Sequence, residues 1–143
     1  MDGSDRQALN LREAVMTFAY WCIFLVYLVP YGAAYYAKFK GSGFTPTDNR
    51  EPRAFLGKLE GARARANAAQ QNAFEINPLF AAAVIVAHVT GGAEQGTINF
   101  WAFLFLLSRI AYTWLYIRDH ATRRSLVWAG GFFCILCLFI AAA

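Results

Sequence analysis

Four long apolar stretches constrain this chain more than any other feature of its sequence. They run from about 14 to 37, 66 to 89, 98 to 117 and 125 to 143. Each is close to the ~20 residues with which a helix crosses ~30 Å of hydrocarbon. From Ser125 to the last residue no side chain is charged. We therefore predict an all-α, integral-membrane four-helix bundle that forms one domain over residues 1–143.

The composition agrees with a membrane protein and excludes other classes. Hydrophobic residues make up 58% of the chain and charged residues 15%, whereas soluble domains contain about 45–50% apolar and about 25% charged residues. The three cysteines all lie in apolar runs, which argues against a disulfide-stabilised secreted domain. No basic tail of the kind that binds nucleic acid is present, so the expected surroundings are membrane lipids.

The distribution of Lys and Arg predicts the orientation of the chain. The first connection, about 38–65, holds seven of these residues and the third, 118–124, holds three, whereas the second, 90–97, holds none. Cytoplasmic loops are enriched in Lys and Arg. We therefore expect a multi-pass protein whose first and third connections are cytoplasmic and whose termini both lie outside.

The first half of the second stretch is polar and Ala-rich, and Arg109 interrupts the third; Asn72, Glu75 and Arg109 are the residues that cost most to place in a membrane. An ionisable group at the bilayer centre costs at least ~2.5–3.5 kcal/mol, so such residues should face the bundle interior or a wet cavity. Residues three, four or seven apart share a helix face. By that rule Arg65 joins Asn72 and Glu75, while Tyr112 and Tyr116 join Arg109. With Arg123, Arg124 and Ser125 at the same end, the sequence predicts a site for a small anionic or zwitterionic ligand.

A purely structural interpretation of these residues remains open at this point. Glu75 and Arg109 could pair with each other and hold two helices together, because hydrogen bonds between membrane helices stabilise by ~0.6 kcal/mol on average. Spacing alone does not separate pairing from ligand binding. His88 and His120 are isolated from each other and from other ligand types, so no metal site is expected.

Two stretches resemble the signatures of a known family. The second span contains Arg65-Ala66-x-x-Ala69-x-x-Asn72-x-x-Glu75-x-x-Pro78-x-Phe80, and the third contains Arg109-Ile110-Ala111-Tyr112-Thr113-Trp114-Leu115-Tyr116, followed by Arg124-Ser125. Together they resemble the MAPEG family, the membrane-associated proteins in eicosanoid and glutathione metabolism. The alanines around Asn72 are similar to those of the family's bacterial branch, which implies a bacterial inner membrane.

The resemblance implies a homotrimer with three sites at subunit interfaces, in which glutathione binds as a cosubstrate. Small residues of the second helix (Ala66, Ala69 and Ala73) are then predicted to pack the three copies around a three-fold axis. The resemblance assigns thiol activation to Arg124, with Ser125 beside it. The implied glutathione-binding residues are Lys38, Gln71, Asn72, Glu75, Arg109, Tyr112 and Tyr116.

Some positions depart from the family pattern and leave alternatives open. Gln71 stands where well-characterised glutathione-using members usually have arginine, and Tyr112 where some have histidine. The third connection also leaves the choice between Arg123 and Arg124 undecided. The first hypothesis is a membrane glutathione S-transferase or peroxidase that acts on a lipophilic substrate. The second is a non-catalytic structural or accessory subunit of the membrane.

Overall fold

The structure, a computed structural model, describes residues 16–41 and 43–143 and is built from four long helices. Residues 14 and 15 of the first predicted span lie outside the described residues, as does the tail before them. The long helices are α1 (Phe18–Phe39), α3 (Gly61–Thr90), α4 (Gln95–Ile117) and α5 (Ala121–Ala142), and a short helix, α2 (Pro52–Gly57), lies in the first connection. Each long helix is long and apolar enough to cross a membrane. The prediction of an all-α chain with four such helices is confirmed.

Three helices begin earlier than the apolar pattern indicates. The second span was expected from residue 66, yet α3 begins at Gly61. Helix α4 begins at Gln95 rather than at residue 98, and α5 begins at Ala121 rather than at Ser125. The added turns contain Arg63 and Arg65 in α3, and Arg123 and Arg124 in α5. Hydropathy detects only the part of a helix that fits the hydrocarbon, so it misses the charged turns of α5. For α3, the helix formers that follow Pro52 in the sequence already indicate a start before the apolar part. The 30 residues of α3 extend over about 45 Å.

The bundle consists of two closely packed antiparallel pairs, α1 with α3 and α4 with α5. Helix α4 also contacts α1 and α3, and α3 contacts α5. In the core the rings of Phe80 and Phe105 stack with centroids 4.1 Å apart. The alanines of α3 that were expected to pack copies together (Ala66, Ala69 and Ala73) are at most 1% exposed within one chain. That expectation is wrong, because these small side chains already serve close packing inside the subunit.

A buried asparagine satisfies a carbonyl group that a proline leaves without a helical partner. Pro30 lies inside α1 and has no N–H, so it cannot donate to the carbonyl oxygen of Val26 four residues earlier. Asn77 of α3, which is 0% exposed, donates from Nδ2 to that oxygen at 3.3 Å. The bond joins α1 to α3 deep in the bundle, where water cannot replace the missing donor.

Side chains tie the helices together at both ends of the bundle. At the end that contains the first and third connections, hereafter the loop end, Arg63 donates to the carbonyl oxygens of Ala37 (2.8 Å) and Lys38 (3.1 Å). In the first connection Asp48 Oδ2 accepts from the backbone N (2.8 Å) and Oγ1 (2.7 Å) of Thr45, and these bonds lower the pKa of Asp48. At the opposite end Thr17 Oγ1 and His88 Nε2 are 3.0 Å apart, and Asn99 accepts from the backbone N of Ala19 at 3.1 Å.

Candidate functional site

Helices α3 and α4 bring Asn72 and Arg109 together inside the bundle. Arg65 Nε donates to the carbonyl oxygen of Ile117 at 3.1 Å, which sets these two residues at one level. Asn72 lies seven residues along α3 from Arg65, and Arg109 lies eight residues along α4 from Ile117. At about 1.5 Å per residue, both lie roughly 10–12 Å deeper in the bundle than the level of Arg65 and Ile117. Arg109 Nη2 donates to Asn72 Oδ1 at 2.9 Å, and Arg109 is 1% exposed. An arginine is therefore enclosed between two membrane helices.

The partner of Arg109 is an amide and not a carboxylate. Among the described residues the salt-bridge geometry is met by Arg65 and Asp119, at 3.8 Å, and Glu75 forms no ion pair. Glu75 is exposed on α3. The pairing of Glu75 with Arg109, considered above as a structural alternative, is therefore not the arrangement of this chain. The Nε and Nη1 atoms of Arg109 are buried without a hydrogen-bond partner in the described part of the protein.

Two adjacent tyrosines connect two arginines in a row from the bundle interior toward the loop end. The Cζ atom of Arg109 lies 4.1 Å from the ring centroid of Tyr112. The rings of Tyr112 and Tyr116 meet edge to face with centroids 5.6 Å apart. The Cζ atom of Arg124 on α5 then lies 4.0 Å from the centroid of Tyr116. These contacts position both guanidinium groups, because a cation over an aromatic face is attracted by the ring.

A cavity of about 220 Å³ lies beside this row. We call it the Asn72 cavity, and it is lined by Asn72, Tyr112, Arg124, Ser125 and Trp128. Ser125 Oγ donates to the carbonyl oxygen of Ala121 at 3.1 Å, which leaves its lone pairs as acceptors. Arg123 is exposed and does not line the cavity. The geometry therefore distinguishes Arg124, the arginine to which the resemblance assigns thiol activation, from its neighbour Arg123.

Sequence reasoning missed Trp128 as a lining residue. Its spacing contained the signal, since it follows Arg124 by four residues and Ser125 by three and so shares their helix face. An apolar residue in an apolar span does not stand out by composition. Its ring stacks on Phe132 with centroids 5.6 Å apart, so a second aromatic ring of α5 supports the one that lines the Asn72 cavity.

Three of the predicted site residues lie elsewhere in the single chain. Gln71 is exposed and lines a second cavity of about 400 Å³ next to α2, together with Arg53 and Phe74. Lys38 Nζ lies 4.9 Å over the ring of Phe44 in the first connection. Glu75 belongs to an exposed row along α3, which we call the α3 stripe. It consists of Gln71, Phe74, Glu75, Pro78, Leu79 and Ala82.

The chain that carries this site matches a known family along almost its whole length. A profile of the MAPEG family matches residues 15–143, nearly the whole chain. The chain belongs to the MAPEG family. Comparisons with curated proteins and with solved structures return no match. With four helices able to cross a membrane, this MAPEG protein is an integral, multi-pass membrane protein. In residues 16–41 and 43–143 no group of three or more His, Cys, Asp or Glu side chains is arranged to hold a metal ion.

Proposed function

We propose that this MAPEG protein is a membrane glutathione S-transferase or peroxidase that acts on lipophilic electrophiles or hydroperoxides. The observation that carries the proposal is the position of Arg124. Its guanidinium group is held over Tyr116 and faces a polar cavity between otherwise apolar helices. A cation fixed at such a place is suited to stabilise an anion that forms during a reaction.

The reaction begins with ionisation of the glutathione thiol. A free cysteine thiol has a pKa of about 8.5, and a nearby positive charge lowers that pKa because it favours the thiolate. Arg124 supplies this charge at any physiological pH, since a guanidinium group stays protonated. The thiol proton passes to solvent, and the Ser125 hydroxyl stabilises the thiolate by turning from the Ala121 carbonyl and donating to the sulfur.

The thiolate then reacts with a substrate that enters from the bilayer. In the transferase reaction its sulfur forms a bond to an electrophilic carbon, and the leaving group departs with its electron pair. In the peroxidase reaction the sulfur attacks the hydroperoxide oxygen, which releases an alcohol. A second glutathione then converts the oxidised sulfur to the disulfide and water. The protein contributes position and electrostatic stabilisation in both cases.

Completion of the site by a second copy is part of the proposal. Pockets for small molecules usually measure about 300–1,000 Å³, so the 220 Å³ of the Asn72 cavity suits the thiol end of glutathione and not the whole tripeptide. Glu75 and Gln71 are exposed on one chain and are free to meet a neighbour. We assign Glu75 to the ammonium group of glutathione and Lys38 to one of its carboxylates. Gln71 contributes hydrogen bonds without charge, and the assembly is a homotrimer.

The charge distribution supports the location of these sites. Because the basic first and third connections both lie at the loop end, this end faces the cytoplasm and both termini lie outside. The Asn72 cavity is close to that end and takes glutathione from the cytoplasm. The likeness of the second span to the bacterial branch of the family supports a bacterial inner membrane.

Thermal unfolding of the purified protein tests the proposal. Glutathione at 100 times its dissociation constant should raise the free energy of unfolding by about 2.7 kcal/mol. An equal concentration of free glutamate and glycine is the control and should not. The same sample should conjugate a lipophilic electrophile or reduce a lipid hydroperoxide.

One observation favours a second candidate function. Gln71 lacks the charge of the arginine that usually stands there, and it lines a different cavity from Arg124. A protein without thermal response and without glutathione-dependent activity would be an accessory membrane subunit.

A further inference from the structure

Another polar cleft, distinct from the two cavities described above, lies at the loop end between α1, α3 and α4. Its volume is about 570 Å³, and we call it the basic cleft. Lys40 follows the end of α1, Arg65 lies in the first turns of α3, and Arg118 follows the end of α4. The cleft shares no lining residue with the Asn72 cavity, so the proposed glutathione chemistry does not account for it.

The described residues that line the cleft include three cations and no carboxylate. The carboxylate that pairs with one of these cations is Asp119, which lies 3.8 Å from Arg65 Nη1 and has a side chain that is 68% exposed. Arg65 is also held by the carbonyl oxygen of Ile117, at 3.1 Å from Nε. Like charges that are brought together repel one another. A bound anion relieves that repulsion, so the charge of the cleft favours the binding of an anion.

The position of the cleft indicates which anion it takes. Lys40 and Arg118 directly follow the last helical residues of α1 and α4, where membrane helices leave the hydrocarbon. The cleft also contains Tyr36 and Trp114, and Trp and Tyr are enriched at the level of lipid headgroups. Trp114, Ile110 and Leu107 continue from it as an exposed apolar face along α4. A phosphate at the cleft would therefore have room for acyl chains beside it.

We infer that the basic cleft binds the phosphate of an anionic phospholipid, whose acyl chains lie along the exposed face of α4. Basic pockets between membrane helices near the surface are a known mode of headgroup recognition. Lys40 and Arg118 bind the phosphate, and Arg65 joins them from a position fixed by its backbone contact. A soluble phosphate ester offers the same charge, but it cannot use the apolar face of Trp114 and Ile110.

The test compares two charge-neutralised variants of the full chain. Lys40→Gln with Arg118→Gln removes two cations of the cleft and leaves the structural contact of Arg65 intact. Arg50→Gln with Arg123→Gln is the control, because it removes one charge from each of the same two connections outside the cleft. Lipid binding is measured by native mass spectrometry with phosphatidylglycerol and with phosphatidylcholine of identical acyl chains.

Each basic side chain near an anionic surface contributes roughly a fivefold factor in affinity. The cleft variant should therefore bind phosphatidylglycerol about 30-fold more weakly than the natural protein, and the control should bind it within a few-fold. Phosphatidylcholine should bind more weakly than phosphatidylglycerol to the natural protein. Equal binding of both lipids, or equal losses in both variants, would overturn the inference. If glycerol 3-phosphate alone displaced phosphatidylglycerol completely, the cleft would be a site for soluble phosphate esters and the lipid assignment would be wrong.

Discussion

At the scale of single residues, Arg123 and Arg124 are chemically identical neighbours in different surroundings. Arg124 packs on Tyr116 and lines the Asn72 cavity, whereas Arg123 is exposed. We expect Arg124→Ala to lower glutathione-dependent kcat/KM by roughly 10²-fold, because removal of one group that stabilises a reacting anion costs about that much. The ultraviolet absorbance of bound thiolate at neutral pH should fall as well.

Arg123→Ala is the matched control for this prediction and should keep kcat/KM within a few-fold. It removes the same charge from the same connection, so it also corrects for any general effect on membrane insertion. If both variants lost activity equally, the two arginines would act only as charges flanking the membrane.

Asn72 and Glu75 are three residues apart, yet their substitution should change different quantities. For Asn72 it is the stability without ligand, and for Glu75 it is the stabilisation by glutathione. Asn72→Ala leaves Nη2 of the buried Arg109 without its acceptor, and a hydrogen bond to a charged group is worth about 1.5–3 kcal/mol. We expect it to lower the free energy of unfolding without ligand. Glu75→Gln changes an exposed side chain, so it should unfold like the natural protein and lose most of the stabilisation by glutathione. Thermal melts with and without glutathione measure both effects.

The outcome that contradicts the role of Glu75 is specific. A Glu75→Gln protein that melted early yet responded fully to glutathione would show that the carboxylate supports the fold and does not bind ligand. An early melt of Asn72→Ala together with a normal melt of Glu75→Gln would confirm that the amide holds Arg109.

Part of the candidate site was predictable from spacing, and part was not. The intervals of three and four residues placed Arg109, Tyr112 and Tyr116 on one face, and the structure gives them a continuous row of contacts. The choice of Asn72 over Glu75 as the partner of Arg109 depends on the rotation of α3 against α4. Periodicity describes each helix alone, so it does not contain that rotation.

At the scale of helices, the contact between Pro30 and Asn77 makes a prediction by double-mutant cycle. Asn77→Leu removes the donor to the Val26 carbonyl, and hydrogen bonds between membrane helices contribute about 0.6 kcal/mol on average and up to about 1.7. Pro30→Ala restores an N–H that donates to the same carbonyl within α1. We expect Asn77→Leu to destabilise the natural protein and to be nearly neutral when residue 30 is alanine. The cycle compares the natural protein, the two single variants and the double variant. If the effects of the two substitutions on the free energy of unfolding were additive, this account would be wrong.

Two adjacent glycines of α5 provide a matched test of its packing on α4. A Cβ atom at Gly131 would lie 2.6 Å from Ser108 Oγ, whereas one at Gly130 would meet nothing within 4 Å. Ser108 Oγ already donates to the carbonyl oxygen of Phe105 at 2.6 Å, so it cannot move without losing that bond. Overpacking costs roughly 1–3 kcal/mol, and we expect Gly131→Ala to lose about this much stability in a thermal melt.

Gly130→Ala is the control and should change the melting temperature little. Removing the hydroxyl by Ser108→Ala should restore most of the stability lost in Gly131→Ala, because the clashing oxygen is then gone. If Gly131→Ala were as stable as Gly130→Ala, the close contact between α4 and α5 at this point would be wrong.

At the scale of the whole molecule, the depth of Glu75 is the feature that a single chain does not explain. Glu75 follows Arg65 by ten residues, so it lies about 15 Å along α3 from the loop-end level that Arg65 shares with Ile117. A hydrocarbon layer is ~30 Å thick, so a carboxylate about 15 Å below its edge would lie near its middle. An exposed carboxylate there would cost several kcal/mol if it faced lipid, so another surface should cover it.

The sequence predicted that small residues of the second helix join the copies of a trimer, and the structure corrects this reason for the assembly. The alanines expected at the contact between copies are buried within one subunit, because α1 and α3 approach closely there. Composition shows that small residues exist but not which neighbour they face. On α3 the exposed surface that a second copy could contact is the α3 stripe, which contains Glu75.

We therefore expect the α3 stripe to form the contacts of a homotrimer. Native mass measurement in mild detergent should give three times the 15.9 kDa of one chain. Ala82→Trp places a large ring on the stripe, and a closely packed partner would leave no room for that ring. This substitution should therefore shift the protein from trimer toward monomer. Leu107→Trp makes a similar change on an exposed part of α4 away from the stripe and should leave the trimer intact. A natural protein that remained monomeric or dimeric would contradict the trimer, and equal dissociation of both variants would contradict the stripe as its interface.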